Sequence, residues 1–419
     1  MDKKNSLINL GCRLNIYESE IIKNHIRENN LKNITVINSC AVTAEAEKKV
    51  AYEIRKAKRS NPKNKIVVTG CAAQINPEKY IAFEEVSLVL GNKEKLLPNV
   101  WKDLNYLNPI QVDDILLEKN TVPATIEKFD GKSRAYIEIQ QGCDHRCTFC
   151  IIPYGRGNNR SVPAGDIIHK IKKIVDNGYK EVVLTGVDIT DYGKDLPGKP
   201  TFSNLIKRIL KLVPKLEQLR LSSIDCAEID DDFWDLLSEK KLMLHFHISL
   251  QAGNNMILKR MKRRHTREMA INFCNKILSL RKDATFGADI IAGFPTETEK
   301  MFKDSLDLID KCHLTHLHVF PYSPRENTPA ARMPQTDKSI IKNRAKALRE
   351  KGLLNFKKYL ASKIGKKDIM LVEKNQNNHS LGKDKNFFNV LVDENIKEGN
   401  IIQCIFTGIE NDTLVAKRI

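Results

Sequence analysis

Six of the ten cysteines fall into two sets of three whose placement suits metal chemistry. Cys143, Cys147 and Cys150 form CxxxCxxC in QGCDHRCTFCIIP, directly after the apolar run AYIEIQ. A tight loop of this kind wraps three thiolates round one corner of a metal centre. Soft thiolates suit iron–sulfur clusters or zinc. A structural zinc site normally adds a fourth Cys or His at regular spacing, and His145 inside the loop does not fit the usual pairs. Three thiolates on a four-iron cube leave one iron open, which chemistry needs. Cys12, Cys40 and Cys71 are far apart in sequence, but each ends an apolar run: INLGC, VINSC, VVTGC. In a parallel sheet such strand ends share one edge, where ligands bind, so the three thiols are expected to converge. Cys226, Cys274, Cys312 and Cys404 have no such grouping and read as structural.

The elements that must position these thiols follow from periodicity. Residues 5 to about 110 alternate Val/Ile-rich strands with helical patterns at Asn15–Asn29 and Ala44–Ser60, which predicts a parallel sheet carrying helices. Residues 111–130 read as a connector. From Arg134, six strands in series with helices between most of them predict an incomplete or complete β/α barrel. A basic amphipathic helix follows at Lys338–Leu360, with Ile341, Ala345, Leu348, Gly352 and Phe356 on one face. After Gly365 the rhythm changes to short strands, DIMLVEK, FFNVLVD, NIIQCIF and DTLVAKRI, which predict a small antiparallel β-barrel.

The chain has 419 residues, 41% of them hydrophobic, and this predicts two or three packed domains. Neither a signal peptide nor a membrane-spanning apolar run is visible, so a soluble cytoplasmic protein without membrane contact is expected. In a reducing compartment ten cysteines favour ligation or burial over disulfides. The formal charge of +17 is consistent with a polyanionic partner, although a Lys-rich composition alone produces the same excess. Basic residues concentrate in Lys48–Lys65, Lys259–Arg267 and 338–367, all helical in pattern.

The cysteine loop after the first barrel strand resembles the radical S-adenosylmethionine superfamily. The whole chain, over residues 5–419, is similar to the methylthiotransferase family within it. The resemblance rests on GCRLNIYESE, NSCAVTAEAEKK, VVTGCAAQ, GCDHRCTFCIIPYGRG, LTGVDITDYG, HFHISLQAGNNMILKRMKR, DIIAGFPTETE and FPYSPRENTPAARM. It implies an N-terminal α/β methylthiotransferase domain over 4–112, a TIM-like β/α radical domain over 129–360, and a C-terminal antiparallel barrel of the RNA-binding TRAM type over 361–419. NIYESE after Cys12 and SSID at 222–225 look most like the branch acting on threonylcarbamoyladenosine in tRNA. The implied reaction adds a methylthio group at carbon 2 of that adenosine, next to the anticodon. The rival readings are the isopentenyladenosine tRNA branch, the ribosomal-protein aspartate branch, and a non-catalytic iron–sulfur or zinc RNA-binding protein.

By the same resemblance, Cys143, Cys147 and Cys150 hold a catalytic four-iron cluster, and Cys12, Cys40 and Cys71 hold a second one. S-adenosylmethionine is the expected cosubstrate. Phe149 shields the first cluster, and the strand-end residues Thr185, Gly186, Ser222, Ser223, His247, Ser249, Gln251, Gly293 and Phe294 line the nucleotide. Gly293 and Pro295 also shape a turn. Expected partners are tRNA, an electron donor such as flavodoxin or ferredoxin, and a sulfur donor of unknown identity. Arg263, Arg264 and Arg325 are candidates for tRNA phosphate or the substrate's carboxylate. From Ile364 onward eight basic residues meet eight acidic ones. A neutral barrel must grip RNA by local lysines or by stacking, with Phe387 and Phe388 as candidates, and leaves phosphate contact to the basic helices.

Overall fold

A computed structural model describes residues 5–124 and 126–419. The expected domain start at residue 4, and position 125 of the connector, lie outside the described residues.

The N-terminal region is a five-stranded parallel sheet in the order β1-β2-β3-β4-β5. In chain order it contains β1 (Ser6–Asn9), α1 (Arg13–Glu28), β2 (Ile34–Ser39), α2 (Ala44–Ser60) and β3 (Lys65–Gly70). It continues with α3 (Cys71–Ile75), α4 (Pro77–Ile81), β4 (Val86–Leu90), α5 (Pro98–Lys102) and β5 (Ile110–Gln111). The two-residue period of the strands divides their side chains between two cores. Val36, Val67 and Leu88 face Ile22 and Ile26 of α1. Ile37, Val68 and Val89 face Val50 and Ile54 of α2. Thr43 caps α2 by accepting from the backbone N–H of Ala46. The strands β4 and β5 extend the three that the cysteine runs announce.

The central region contains β6 (Ala135–Glu138), β7 (Gln140–Gln141), α6 (Ile152–Arg156), β8 (Arg160–Ser161), α7 (Ala164–Asp176), β9 (Glu181–Thr185), α8 (Phe202–Leu212) and β10 (Gln218–Leu221). It continues with α9 (Phe233–Leu236), β11 (His245–Gln251), α10 (Asn255–Arg260), α11 (Arg267–Leu280), β12 (Thr285–Ala292), α12 (Glu299–Lys311), β13 (Leu314–Pro321) and α13 (Lys338–Lys363). Two parallel sheets, β10-β9-β6 and β11-β12-β13, are linked by bridges Leu219↔Leu242 and Ile224↔Ile248. The result is an arc of six strands with β6 and β13 at its edges, so the barrel is the incomplete one. Helices α7, α8, α11 and α12 bury Ile167, Ile171, Leu205, Ile209, Phe273 and Leu308 against its outer face. Tyr17 and Ile21 of α1 belong to that same core, which ties the N-terminal sheet to the arc. The predicted apolar face of α13 is buried or half-buried, and Gly352 lets the helix approach Leu317 of β13.

The C-terminal strands β14 (Lys367–Gln376), β15 (His379–Asp384), β16 (Asn389–Val392), β17 (Ile401–Glu410) and β18 (Thr413–Arg418) form a closed barrel. It has five strands, one more than the four runs suggest. HSLGKD of β15 carries a single large apolar side chain, so it gives little periodic signal. One pairing, β16 with β18, is parallel. The barrel packs beneath the arc: Arg220 donates to the carbonyls of Lys385 and Asp384 at 3.0 and 3.2 Å. Buried Lys363 anchors it through Asp384 and through Asp368 at 3.0 Å. This is the end where the arc's strands start, opposite the cysteine loop.

Candidate active site

The CxxxCxxC loop leaves β7 through Gly142, whose φ of +69° suits glycine. A Cβ there would lie 1.8 Å from the Asn158 carbonyl oxygen. The loop is pinned at both ends: the Cys143 N–H donates to the Gly157 carbonyl at 3.0 Å, and that of Thr148 to Met261 at 3.1 Å. Arg146 donates to the Cys143 carbonyl at 2.7 Å, and Arg263 reaches Cys147 Sγ at 3.7 Å. Burial pushes the Cys143 thiol up, helped by Asp188, and burial pushes Cys150 up to about 12. Enclosed thiols of this kind ionise when a cationic centre binds them.

The second triad forms as expected where parallel strands end. Cys12 follows β1, Cys40 follows β2 and Cys71 follows β3. Cys40 is pushed up to about 11 by burial and then by Cys71 and Cys12 beside it. Cys12 is accessible at its surface, and desolvation by the surrounding protein raises its thiol. Cys71 Sγ accepts from Arg156 Nε at 3.1 Å and from Asn92 Nδ2 at 3.9 Å. Arg156 sits on α6, immediately after the other cysteine loop, so one short helix serves both triads.

Around Arg156 lies a buried polar network. Its guanidinium donates to both oxygens of Glu18, to Asn15 Oδ1 at 2.5 Å and to Gln141 Oε1 at 3.2 Å. Fully buried Lys95 donates to Glu18 at 2.7 Å, Asn92 at 2.6 Å and Asn38 at 3.3 Å. Burial alone would raise the Glu18 carboxyl, but Arg156 and Lys95 outweigh it and hold it at about 2. The network fixes one wall of the Cys71 site by charge-assisted hydrogen bonds.

Among the described residues, neither triad has all its ligand atoms within 4.8 Å of one another. Sulfurs on one zinc ion, with bonds of ~2.3 Å, would sit inside that span. The wider spread is that of a centre larger than a single ion. Of the six triad thiols, Cys143 alone joins such a tight group, with His145 and Asp188.

A pocket opens between the arc and the loop after Cys40. Val42, Thr43, Phe149, Cys150, Gln251, Asp289 and Arg325 are in its wall. Gln251 has φ +71°, beside a register shift in β11, and this strained turn aims it at the pocket. Phe149 lines the space, while Phe294 is fully buried and meets Phe149 edge-on at 6.5 Å. Phe294 therefore supports that ring from behind instead of lining the pocket. Thr185 and Ser222 are buried at the ends of β9 and β10, and Ser222 Oγ has no hydrogen-bond partner among the described residues. Gly186 leads into a turn whose N–H groups at Val187 and Asp188 donate to Gln140 at 2.9 Å. Ser223 follows β10, half-buried, and the Ser249 carbonyl accepts from Arg263 at 2.7 Å. His247 pairs with Asp289 at 3.0 Å. Gly293 turns with φ +72°.

Three expectations change. Arg263 and Arg264 both bind Asp225, at 2.7 and 2.8 Å, and Arg264 also reaches Glu228 at 3.2 Å, so neither guanidinium is free to read an anion. Arg325 lines the pocket but pairs with Glu47 of α2. Phe388 is core to the C-terminal barrel, and Phe387 is wedged under the arc with its ring on His245, so neither stacks RNA. Each pairing depends on residues distant in sequence. Arg156, Glu18 and Asp289 lie inside the motifs quoted above but are assigned no site role there, and Lys95 lies outside them; Glu18 carries a further signal, since it occupies the apolar face of α1 between Leu14 and Ile22, one turn from each.

Residues 137–309 match the radical SAM superfamily, and residues 4–91 match the uncharacterized protein family UPF0004. The threonylcarbamoyladenosine tRNA methylthiotransferase MtaB of Rickettsia prowazekii is 51% identical over 408 residues, 97% of this chain and 96% of its own. The chain belongs to the radical S-adenosylmethionine methylthiotransferase family. MtaB of Aquifex aeolicus is 35% identical, over 88% of this chain and 92% of its own. Among solved structures, the radical S-adenosylmethionine methyltransferase TsrM from Kitasatospora setae aligns with a TM-score of 0.53 at 14% identity. That alignment covers 79% of this chain and 77% of TsrM, a likeness of fold. As in other family members, two four-iron clusters and S-adenosylmethionine are the cofactors, and both cysteine triads have the donor chemistry to bind clusters.

Proposed function

We propose that this chain adds a methylthio group to carbon 2 of threonylcarbamoyladenosine beside the tRNA anticodon. The observation that carries the reading is the link that α6 makes between the two thiol triads: Cys150 lines the pocket, and Gly155 and Arg156 of α6 meet Cys71 of the second triad. Cys143, Cys147 and Cys150 hold the radical-generating cluster, and Cys12, Cys40 and Cys71 hold the second. When bound, these groups and S-adenosylmethionine supply a 5′-deoxyadenosyl radical that takes hydrogen from an unactivated C–H, and the sulfur and methyl that replace it.

The chain's own residues position and protect. Phe149, backed by Phe294, excludes water from the pocket wall beside Cys150. Gln251 and Asp289 offer hydrogen bonds to the nucleotide, and Asp289 is held in place by His247 and by His318 at 3.1 Å. Arg263 orients Cys147 while Asp225 neutralises it. The exposed basic face of α2 (Lys48, Lys49, Arg55, Lys56, Arg59) adjoins the pocket through Thr43 and supports phosphate binding. The reading places units at 4–112, 129–360 and 361–419. It takes the electron from a flavodoxin- or ferredoxin-like donor and assigns the reaction to the cytoplasm, and among the described residues no helix is long and apolar enough to cross a membrane.

The test is anaerobic reconstitution with S-adenosylmethionine, reductant, sulfide and tRNA bearing threonylcarbamoyladenosine, followed by mass spectrometry of the nucleosides. The methylthio derivative is expected, with about eight irons per chain. Zinc without sulfide would overturn the enzyme reading, and product on isopentenyladenosine tRNA alone would overturn the branch.

A further inference from the structure

Among the described residues, Arg13, which follows Cys12, has no carboxylate in direct contact, and Glu181 acts on it only from a distance. It makes no hydrogen bond and no ion pair among the described residues, and its guanidinium lies over the ring of Phe387, 5.8 Å away. Three more cations surround that ring: Arg134, Arg220 and Lys383, at 5.2, 5.0 and 4.7 Å. These three are partnered. Arg134 pairs with Glu181 and Glu373 at 2.6 Å each, Arg220 with Glu181 at 3.0 Å, and Lys383 donates to Asn389 at 2.7 Å. Four cations thus share two carboxylates, Glu181 and Glu373, and the excess charge falls on the one guanidinium left open. Arg13 is half-buried, and its guanidinium is desolvated.

This cationic floor is connected to the pocket. Asp289 stands in the pocket wall and pairs with His247, whose ring lies 6.3 Å from that of His245. His245 in turn stacks on Phe387 at 6.0 Å. Side-chain contacts thus run from the pocket wall down the inside of the arc to the ring beside Arg13, with Cys12 next to Arg13 in the chain. A tRNA backbone is confined to the surface, and its phosphates cannot follow a base into this space. The threonyl carboxylate is the one anionic group that the modified base itself carries. A guanidinium matches a carboxylate with two parallel N–H···O bonds, and in an enclosed site such a pair selects strongly against a neutral analogue.

We propose that Arg13 is the receptor for the carboxylate of the substrate's threonyl group, and so selects a carboxylate-bearing adenosine over neutral ones. The inference rests on the methylthiotransferase reading above and adds a specificity residue to it.

The experiment measures equilibrium binding of anticodon stem-loops to the cluster-loaded full-length protein, with S-adenosylmethionine and no reductant. The target position carries unmodified adenosine, threonylcarbamoyladenosine, or the methyl ester of the latter. The wild type is expected to prefer the free acid over the ester by about tenfold or more. Arg13→Gln is expected to bind acid and ester alike, with its affinity for the unmodified stem-loop and its iron content unchanged. Arg13→Lys is expected to keep part of the preference, since one point charge replaces the fork. If Arg13→Gln loses iron, the lysine variant decides, and an undiminished preference there overturns the proposal. Retained discrimination in Arg13→Gln, or a wild type indifferent to the ester, overturns it as well. A wild type that fails to prefer threonylcarbamoyladenosine over plain adenosine overturns the substrate reading instead.

Discussion

Arg156 joins a half-buried thiol to a fully buried carboxylate through a single guanidinium. Replacing it with methionine leaves Glu18 with Lys95 as its paired cation and Gln141 as a neutral donor, and Cys71 without its nearest donor. Breaking such a buried pair costs about 3–5 kcal/mol, to be read as a lower denaturation midpoint of the metal-free protein. Histidines give the second residue-scale prediction. Burial and Lys383 hold His316 neutral down to about 3, and burial and Arg263 hold His265 neutral down to about 4. In the unfolded chain both protonate near ~6.5. The unfolded state therefore takes up protons first, and stability falls as pH drops from about 6.5 towards 3. Denaturation at stepped pH should show a shallower fall in His316→Asn. At this scale the sequence revealed residues whose spacing is itself the signal, such as CxxxCxxC. It concealed pairings made by folding: Arg263 reads as a free cation until Asp225 is found beside it, and Arg156 is 138 positions from Glu18.

Elements were legible where periodicity was strong. The helix Ala44–Ser60 matches its pattern residue for residue, and the face of α13 is the expected one. Short or polar elements were not: β15 and β5 lack an apolar period to declare them, and α9 is a single turn, Phe233–Leu236. The cysteine loop is the element on which a small change should act most. A methyl group at Gly142 meets the Asn158 carbonyl, and the backbone there has positive φ. Gly142→Ala is expected to move Cys143 and to lower iron from about eight to about four per chain. Mössbauer spectroscopy and iron assay would show the second triad still loaded, whereas full iron content would mean that the loop tolerates the shift.

At the scale of the whole molecule, charge is distributed unequally among the parts. The C-terminal barrel is neutral, while α2 presents five exposed basic side chains in one continuous face. Replacing Lys48, Lys49, Lys56 and Arg59 by glutamine should weaken tRNA binding uniformly across sequences. It should also flatten the dependence of log K on log[salt] by roughly 0.7–0.9 per lost phosphate contact, measured by filter binding across salt concentrations. An unchanged slope would move the phosphate grip elsewhere. The three-part layout could be read from changes of rhythm along the chain. The shared core could not, because Tyr17 and Ile21 sit on an ordinary amphipathic helix that gives no hint of which sheet its second face will meet.

The short helix α6 has a consequence for modularity. It leaves one cysteine loop and ends against the other triad, with Gly155 tight against Cys71 and Asn92 bonded to the Gly155 carbonyl. The N-terminal sheet therefore carries its three thiols but lacks one side of their housing. Expressed alone, it would expose Glu18 and Lys95 to water and lose the guanidinium beside Cys71. Grafted onto a different radical barrel, it would need IPYGR grafted with it. The boundary along which the two halves can be inherited, exchanged or engineered thus runs after Arg156, inside what the sequence presents as the second domain.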